Sequence, residues 1–367
     1  MQMTTILPMY VFTSQIPTLE FSQAGTDPLS VTVWAGRNKL LDTTMYPVAG
    51  KLYLHDLGDL YEEYLRSQAG DDIYPYTIME IDIGQYTWED NLIIYCPYTC
   101  NMTALEFINK HFLTSLNTKR IPADATREDE TLLYLLQNED VSVVRTIEVT
   151  AAFRTPDGKI VGHNCTYRDR SRYQLDGIVA SPDEMIILFD HYCEEQNDFD
   201  WRDLCPLSYT IRFASRTFTY YVDQDFKPSV RFRFLNAFCI PETIYLDAVT
   251  VTKTDTERTL ATSHGVSLFY DQVDSQEYDV TTAPLTTEEA TWATQLLLSH
   301  KVQRVEEDDT LVDVLITDMT AEVTDSDEEH RRLKFTYRIA KQGASQKKHK
   351  DVIHDSRFAE QFTIHFS

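Results

Sequence analysis

The chain is dominated by short runs in which apolar and polar residues alternate. LSVTVWA, for example, places Leu29, Val31 and Val33 on one side of an extended segment, and RFRF (231–234) repeats the pattern. Alternation with a period of two is typical of β-strands that bury one face. Such runs recur roughly every 8 to 15 residues from Val141 onward. The pattern therefore predicts a mainly β fold of the sandwich or barrel type rather than a parallel α/β sheet.

Three segments show helical spacing instead. The first is DLGDLYEEYLRSQ, with Asp56 as the expected N-cap; the others begin at Thr103 and Thr286, each followed three residues later by the glutamate of a capping box. The apolar residues expected to face the core are Leu57, Leu60, Tyr61, Tyr64 and Leu65 in the first helix, Leu105, Ile108 and Phe112 in the second, and Leu285, Trp292, Ala293, Leu296 and Leu297 in the third. The apolar run MIILFDHY (185–192) is interpreted as a strand.

Changes of pattern divide the chain into four segments. The polar run PADATREDE is interpreted as a boundary or an exposed loop. Beyond it, a turn of Pro156, Asp157 and Gly158 joins two alternating runs into a hairpin. The predicted segments are a β-rich, sandwich-like domain with two short helices at 1–140, a sandwich or hairpin region at 141–225, a β module with one packed helix at 226–340, and a basic linker with a terminal strand at 341–367.

The last segment combines two patterns. Residues 341–356 are polar and contain four lysines, as a linker would, whereas Phe362, Ile364 and Phe366 alternate with polar residues, as a strand would. This strand is expected either in the chain's own sheet or at the edge of a neighbouring subunit.

Net charge narrows the choice of partners. The 58 acidic residues against 33 basic ones give a formal charge of −25, which argues against a broad nucleic-acid footprint and against anionic membrane surfaces. The simplest interpretation of this charge is that acidic side chains keep the protein soluble. The more specific interpretation is that they repel a genome or attract a basic partner. The first ten residues lack the features of a signal peptide, and six cysteines are too few for a disulfide scaffold in a chain this long. We therefore expect synthesis in the cytoplasm and reduced thiols.

Sequence signatures of catalysis are missing. Phosphate-binding glycine loops, paired zinc-ligand motifs and the nucleophile elbow do not occur, so we expect neither enzymatic activity nor a cofactor. The acidic run CEEQNDFDWRDLC (193–205) is interpreted as a solvated loop. Because it surrounds Trp201 with carboxylates, a carbohydrate-binding β-sandwich stays open as an alternative, and so does a glycoside hydrolase that uses Asp200 or Asp203.

Three runs resemble a known family: FLNAFCIPETIYL (234–246), APLTTEEATWATQLLLS (283–299) and FTYRIA (335–340). Together they resemble virion tail proteins encoded by phages and prophages of Bacteroides-type bacteria. Their order of hairpin, helix and return strands is similar to the tail-tube and distal-tail fold, whose members form rings around a channel. The resemblance implies a structural component of a virion tail or baseplate, made in the host cytoplasm, which assembles into a ring or collar with itself and with neighbouring tail or baseplate proteins.

Two sets of residues are candidates for subunit contacts. In FLNAFCIPETIYL, apolar area would come from Phe234, Phe238 and Tyr245, and directed polar contacts from Asn236 and Glu242. A buried strand followed by a proline-bearing turn is the equally weighted alternative for this run. The second set is Phe362, Ile364 and Phe366 in the terminal strand.

Overall fold

The computed structural model confirms the mainly β fold class. It describes residues 1–22, 24–69, 75–98, 101–125, 132–136, 144–170, 175–193, 200–263, 266–322 and 331–340. The strands up to residue 170 are β1 (Gln2–Met3), β2 (Tyr10–Phe12), β3 (Leu19–Ser22), β4 (Leu29–Ala35), β5 (Asn38–Met45), β6 (Lys51–Leu54), β7 (Tyr76–Ile83), β8 (Tyr86–Ile94), β9 (Thr118–Pro122), β10 (Leu132–Leu136), β11 (Val144–Arg154) and β12 (Ile160–Arg170).

The later strands and the helices complete the element order. The strands are β13 (Leu175–Val179), β14 (Cys205–Phe213), β15 (Arg216–Asp223), β16 (Val230–Leu235), β17 (Pro241–Leu246), β18 (Ala248–Ser263), β19 (Val266–Thr282), β20 (Val302–Val305), β21 (Leu311–Glu322) and β22 (Arg332–Ile339). The α-helices are α1 (Leu57–Gln68), α2 (Ala104–Lys110), α3 (Pro182–Tyr192) and α4 (Thr287–Leu298), and 3₁₀ helices lie at Thr13–Gln15 and Trp201–Asp203.

Two sheets at the N-terminus share one apolar core. A five-stranded sheet has the order β2-β8-β7-β4-β5, and a three-stranded sheet has the order β1-β3-β6. The alternation in LSVTVWA is confirmed, since Val31 and Val33 are buried. They join Phe21 of β3 and Tyr61 of α1 in the same cluster. Burying one face of each sheet against the other and against α1 is what the two-residue period requires.

The middle of the chain forms a five-stranded sheet with the order β12-β11-β14-β15-β9. The hairpin predicted around Pro156 is confirmed by the continuous antiparallel pairing of β11 with β12. Strand β9 pairs in parallel with β15, and β10 pairs with β13. Hydrogen bonding therefore crosses the boundary placed near residue 140, and the four-segment division stays a prediction.

A seven-stranded sheet has the order β17-β16-β20-β21-β22-β19-β18. Its Phe232, Phe335 and Tyr337 share one apolar cluster with Trp292 of α4 and with Ile211 of the five-stranded sheet. As RFRF predicts, Phe232 and Phe234 are buried, whereas Arg231 and Arg233 lie on the half-exposed face. The sequence places the acidic runs EEDD (306–309) and DSDEE (325–329) at hairpin turns. The first does form the turn between β20 and β21, and the second lies outside the described residues.

The predicted helix starts have mixed outcomes. Both capping boxes are confirmed: Thr103 pairs with Glu106, and Thr286 with Glu289. The predicted cap at Asp56 is wrong, because this residue adopts a left-handed conformation with φ of 57° and its side chain makes no capping hydrogen bond. Leu105 is also exposed rather than buried.

The strand predicted for MIILFDHY is wrong, because this run is helix α3. The Ser181 hydroxyl accepts a hydrogen bond from the Glu184 N–H, and Pro182 occupies the first turn. Met185 and Phe189, one helical turn apart, are buried, whereas Ile187 is exposed. The helix signal was present in the sequence as Ser-Pro-Asp-Glu, which is a typical N-terminus.

Helix α1 packs closely on the backbone of the 3₁₀ helix at Thr13–Gln15, and this contact depends on Gly58. A Cβ atom there would collide with the Thr13 carbonyl oxygen. We expect Gly58→Ala to destabilise the fold by about 1–3 kcal/mol, because overpacking outweighs the roughly 1 kcal/mol gain in helix propensity. Chemical denaturation would measure the loss. The control is Gly162→Ala, where the nearest atom to the new Cβ is 4.0 Å away; equal stabilities of the two variants would contradict the packing.

Candidate functional site

The five candidate contact residues in 234–246 are all buried inside the chain. Phe234 is 1% exposed and Glu242, the most accessible of the five, is 8% exposed. The other three candidates, Phe362, Ile364 and Phe366, lie outside the described residues. A role for the eight residues at a subunit boundary therefore stays a prediction, and the five described ones have contacts within their own chain.

Asn236 organises the turn between β16 and β17. Its backbone N–H donates to the Ile240 carbonyl at 2.8 Å, and its own carbonyl accepts from the Cys239 N–H at 3.0 Å. The side-chain oxygen accepts from the N–H groups of Phe238 and Ile240, at 2.8 and 3.1 Å. Cys239 has φ of 55°, so the turn places a non-glycine residue in the left-handed region.

The amide nitrogen of Asn236 connects this turn to two distant segments. It donates to the Leu113 carbonyl at 2.9 Å and to Glu242 Oε1 at 2.7 Å. The indole N–H of Trp292 donates to the other carboxylate oxygen of Glu242. We call Asn236, Glu242 and Trp292 the Asn236 network. Since every donor and acceptor of the Asn236 side chain is used, it joins β16, β17, α4 and the segment after α2.

The same turn fills the apolar joint with the five-stranded N-terminal sheet. Phe238 and Ile240 share a cluster with Phe12 of β2 and Ile108 of α2. The Phe238 ring centroid lies 5.0 Å from that of Phe107 and 6.3 Å from that of Phe12. The contact segment of the sequence prediction is thus an internal joint in the described chain, which is the buried-strand-and-turn alternative.

The feature that sequence periodicity did not locate is the length of the β18–β19 hairpin. The two strands pair from Ala248 with Thr282 out to Ser263 with Val266, but β19 pairs with β22 only over Tyr278–Thr281. We call residues 253–263 and 266–277 the ribbon, because in the described structure they pair only with each other. The arms of eleven and twelve residues extend about 35 Å. A two-stranded ribbon is marginally stable alone in water, so this one favours contact with another surface.

The base of the ribbon is held by side chains on the solvent face of the sheet. Lys253 forms an ion pair with Asp279, and Arg338 with Glu277. The Lys253 ammonium, together with the Thr336 hydroxyl, holds the pKa of Asp279 below its usual value. On the other face, the rings of Tyr278 and Tyr337 stack with centroids 4.9 Å apart. These contacts join the base of the ribbon to β22 and to the sheet beside it.

The structure also bears on the carbohydrate and hydrolase alternatives. Trp201, expected as an exposed platform, is 7% exposed and packs edge-on against Phe153 and His163. Asp200 accepts a hydrogen bond from the Arg202 N–H at 3.0 Å. Glu194, Glu195 and Asp198 lie outside the described residues. Trp201 therefore provides no exposed aromatic platform, because its indole faces the core.

Other candidate chemistry is limited. A cavity of about 30 Å³ beside Trp292 and Lys119 has room for one water molecule. Among the described His, Cys, Asp and Glu side chains, no group of three or more is placed to hold a metal ion. None of the helices in the described ranges has the length and apolar character needed to cross a membrane.

No protein-family model matches the chain, and no curated protein matches it either. Chains of solved structures are similar to part of it, including two from gene transfer agent particles. A chain of the virion of a native gene transfer agent particle is 16% identical, with a TM-score of 0.23, over 30% of this chain and 91% of that one. A chain of the tail of an empty gene transfer agent particle is 14% identical, with a TM-score of 0.21, over 27% of this chain and 83% of that one. Similarities of this size do not assign a function.

Removing the Asn236 side chain should destabilise the whole described fold. Asn236→Ala would leave the Leu113 carbonyl, the Glu242 carboxylate and two backbone N–H groups without this partner in a buried site. We expect a loss of about 3 kcal/mol in the free energy of unfolding. Asn38→Ala is the control, because it also removes an amide hydrogen bond, to the Tyr64 hydroxyl at 2.7 Å, but at the surface. Similar losses for both variants would contradict the role of the network.

Thiol labelling should follow burial. Burial raises the pKa of Cys165 and of Cys239 to about 12, so the reactive thiolate is scarce at pH 8. Cys205 is an exposed free thiol. Mass spectrometry of the folded protein after brief treatment with an alkylating reagent should find Cys205 modified, with Cys165 and Cys239 modified only after unfolding. Early modification of Cys239 would contradict the buried turn.

Proposed function

We propose that this chain is a structural component of a virion tail or baseplate, which assembles into a ring or collar through contacts with further copies and with neighbouring tail proteins. The observation that carries the proposal is the ribbon. A strand pair that leaves its sheet for about 35 Å has few apolar neighbours of its own. The ribbon is therefore stabilised most when an adjacent subunit supplies apolar neighbours.

The type of contact also favours a ring. The ribbon continues from β18, at one end of the strand order of the seven-stranded sheet, and we propose that the copy that receives it does so on a different surface. Such heterologous contacts produce rings when the rotation closes and filaments when it does not. The three sequence runs that resemble phage tail proteins lie in β16–β17, α4 and β22, which belong to the sheet that bears the ribbon or pack on it.

The acidic composition is compatible with this role. A formal charge of −25 keeps the free subunit soluble through self-repulsion. In an assembled ring the same charge would repel a nucleic acid polyanion instead of binding it. We accordingly assign no specific nucleic-acid contact, no membrane contact and no catalytic step to the chain.

Shortening the ribbon should abolish assembly while preserving the subunit. Lys253 and Glu277 lie opposite each other in the ladder, and the bond from the Ala283 N–H to the Asp247 carbonyl sets the phase that makes them a hydrogen-bonded pair. Replacing residues 254–276 with Asn-Gly therefore closes the hairpin there with a favoured two-residue turn. We expect a thermal midpoint within a few degrees of the parent protein, because the core is untouched. We also expect loss of ring-sized particles in light scattering and negative-stain images.

A matched pair of point variants separates the ribbon from the rest of the surface. Leu260 on the ribbon is 64% exposed and Ile160 at the start of β12 is 69% exposed. Leu260→Ser should weaken self-association, and Ile160→Ser should leave it unchanged. If the parent protein is monomeric at every concentration tested, or if the shortened variant forms the same particles, the proposed function is wrong.

A further inference from the structure

The two edges of the seven-stranded sheet differ. Every residue of β17 is buried, whereas β18 is exposed over its first residues. Val249 and Val251 are 69% and 52% exposed. Within the described residues, no strand pairs with the outer side of β18. Open edges of this kind are templates for an additional strand.

The alternation of hydrogen bonds along β18 identifies which backbone N–H and C=O groups point away from β19. The Ala283 N–H donates to the Asp247 carbonyl at 2.7 Å. In an antiparallel ladder every second residue has this orientation, so Val249 and Val251 also direct their backbone N–H and C=O groups towards β19. Thr250, Thr252 and Thr254 therefore direct their N–H and C=O groups away from β19. Ala248 has the same phase, and the Ser229 hydroxyl both donates to its carbonyl and accepts from its N–H, at 2.6 and 2.7 Å.

The chain itself contains a segment suited to this edge. After Ala340 it continues for 27 residues, which lie outside the described ranges, and in the last of them Phe362, Ile364 and Phe366 alternate with polar residues. We propose that residues 357–367 of a second copy add as a strand to the outer edge of β18 at Thr250–Thr254. This inference rests on the proposed function, because it names one of the contacts by which copies would assemble.

Side-chain chemistry fits the added strand. Val249 and Val251 lie on the same side of β18, next to the edge. The alternating Phe362, Ile364 and Phe366 would cover these valines, while Thr363 and His365 would occupy the other face. Cross-strand pairs of aromatic and β-branched residues stabilise sheets.

The course of β22 favours a second copy over the chain's own edge. Tyr337 of β22 lies beside Tyr278 of β19, which lies beside Thr252 of β18. Strand β22 runs parallel to β18 and ends at Ile339, level with the base of the ribbon. At Ala340 the chain therefore points along the ribbon and away from Thr250. A 16-residue segment that behaves as a flexible coil would span roughly 20–24 Å, which is about two thirds of the roughly 35 Å length of the ribbon.

The charge of the linker also favours binding to a second copy. The linker 341–356 has four lysines and two aspartates in a chain whose formal charge is −25. A basic segment leaving an acidic protein is attracted to the acidic surface of the next copy.

Complementation between two variants tests the inference. The first is the chain without residues 357–367, which keeps the edge and lacks the strand. The second is Thr252→Pro, which keeps the strand and blocks the edge; proline there removes an N–H that points away from β19, so the ladder of β18 with β19 keeps its bonds. Thr252→Ala is the matched control, and thermal unfolding checks that each variant is folded.

We expect sedimentation to show at least about tenfold weaker self-association for each variant alone, and unchanged association for Thr252→Ala. Mixing the two variants should restore association, with both chains present in equal amounts. The inference is overturned if either variant alone associates as strongly as the parent protein. It is also overturned if the mixture associates no more strongly than each variant alone, because that result means that the strand covers the edge of its own chain. Both leave the ribbon contact standing. A parent chain that never self-associates would instead overturn the proposed function as well.

Discussion

The buried amide of Asn236 is the interaction on which the rest of the described structure depends. A buried polar side chain stabilises a fold only when its hydrogen bonds are satisfied, and those of Asn236 reach the Leu113 carbonyl, the Glu242 carboxylate and two backbone N–H groups of its own turn. The carboxylate in turn accepts from Trp292. Helix α4, the β16–β17 turn and the segment after α2 are therefore placed together, and the five-stranded N-terminal sheet packs on the same turn through Phe238.

That internal joint involves β17 and leaves β18 available for external contacts. Strand β17, beside the joint, is buried throughout. Strand β18, which follows β17 after Asp247 alone, has exposed valines and continues into the ribbon. Residues that carry a resemblance to tail proteins thus stabilise the module, whereas the surfaces proposed for assembly lie in stretches with no such resemblance. A contact segment cannot be distinguished from a core segment by composition alone, because both need large apolar side chains.

Local signals were the most reliable part of the sequence. The capping boxes at Thr103 and Thr286 involve residues three positions apart, so their geometry follows from the sequence itself. Short apolar runs were less informative: MIILFDHY suits a buried strand or a buried helix, and the choice depended on Ser181 and Pro182 before it. Trp201 beside many carboxylates suggested a sugar platform, but its indole is packed against Phe153 in the core.

The sequence by itself determined the mainly β class, the positions of most strands, two helix starts and the acidic charge, because these depend on neighbours within a few residues. Only the tertiary structure decided that Asn236 bonds to Leu113, which is 123 residues away. It also decided that β19 has β22 beside it for only four residues. Both outcomes depend on which distant segments meet, and alternation states only that a strand has two faces. It does not state what lies against either face, or where the neighbouring strand ends.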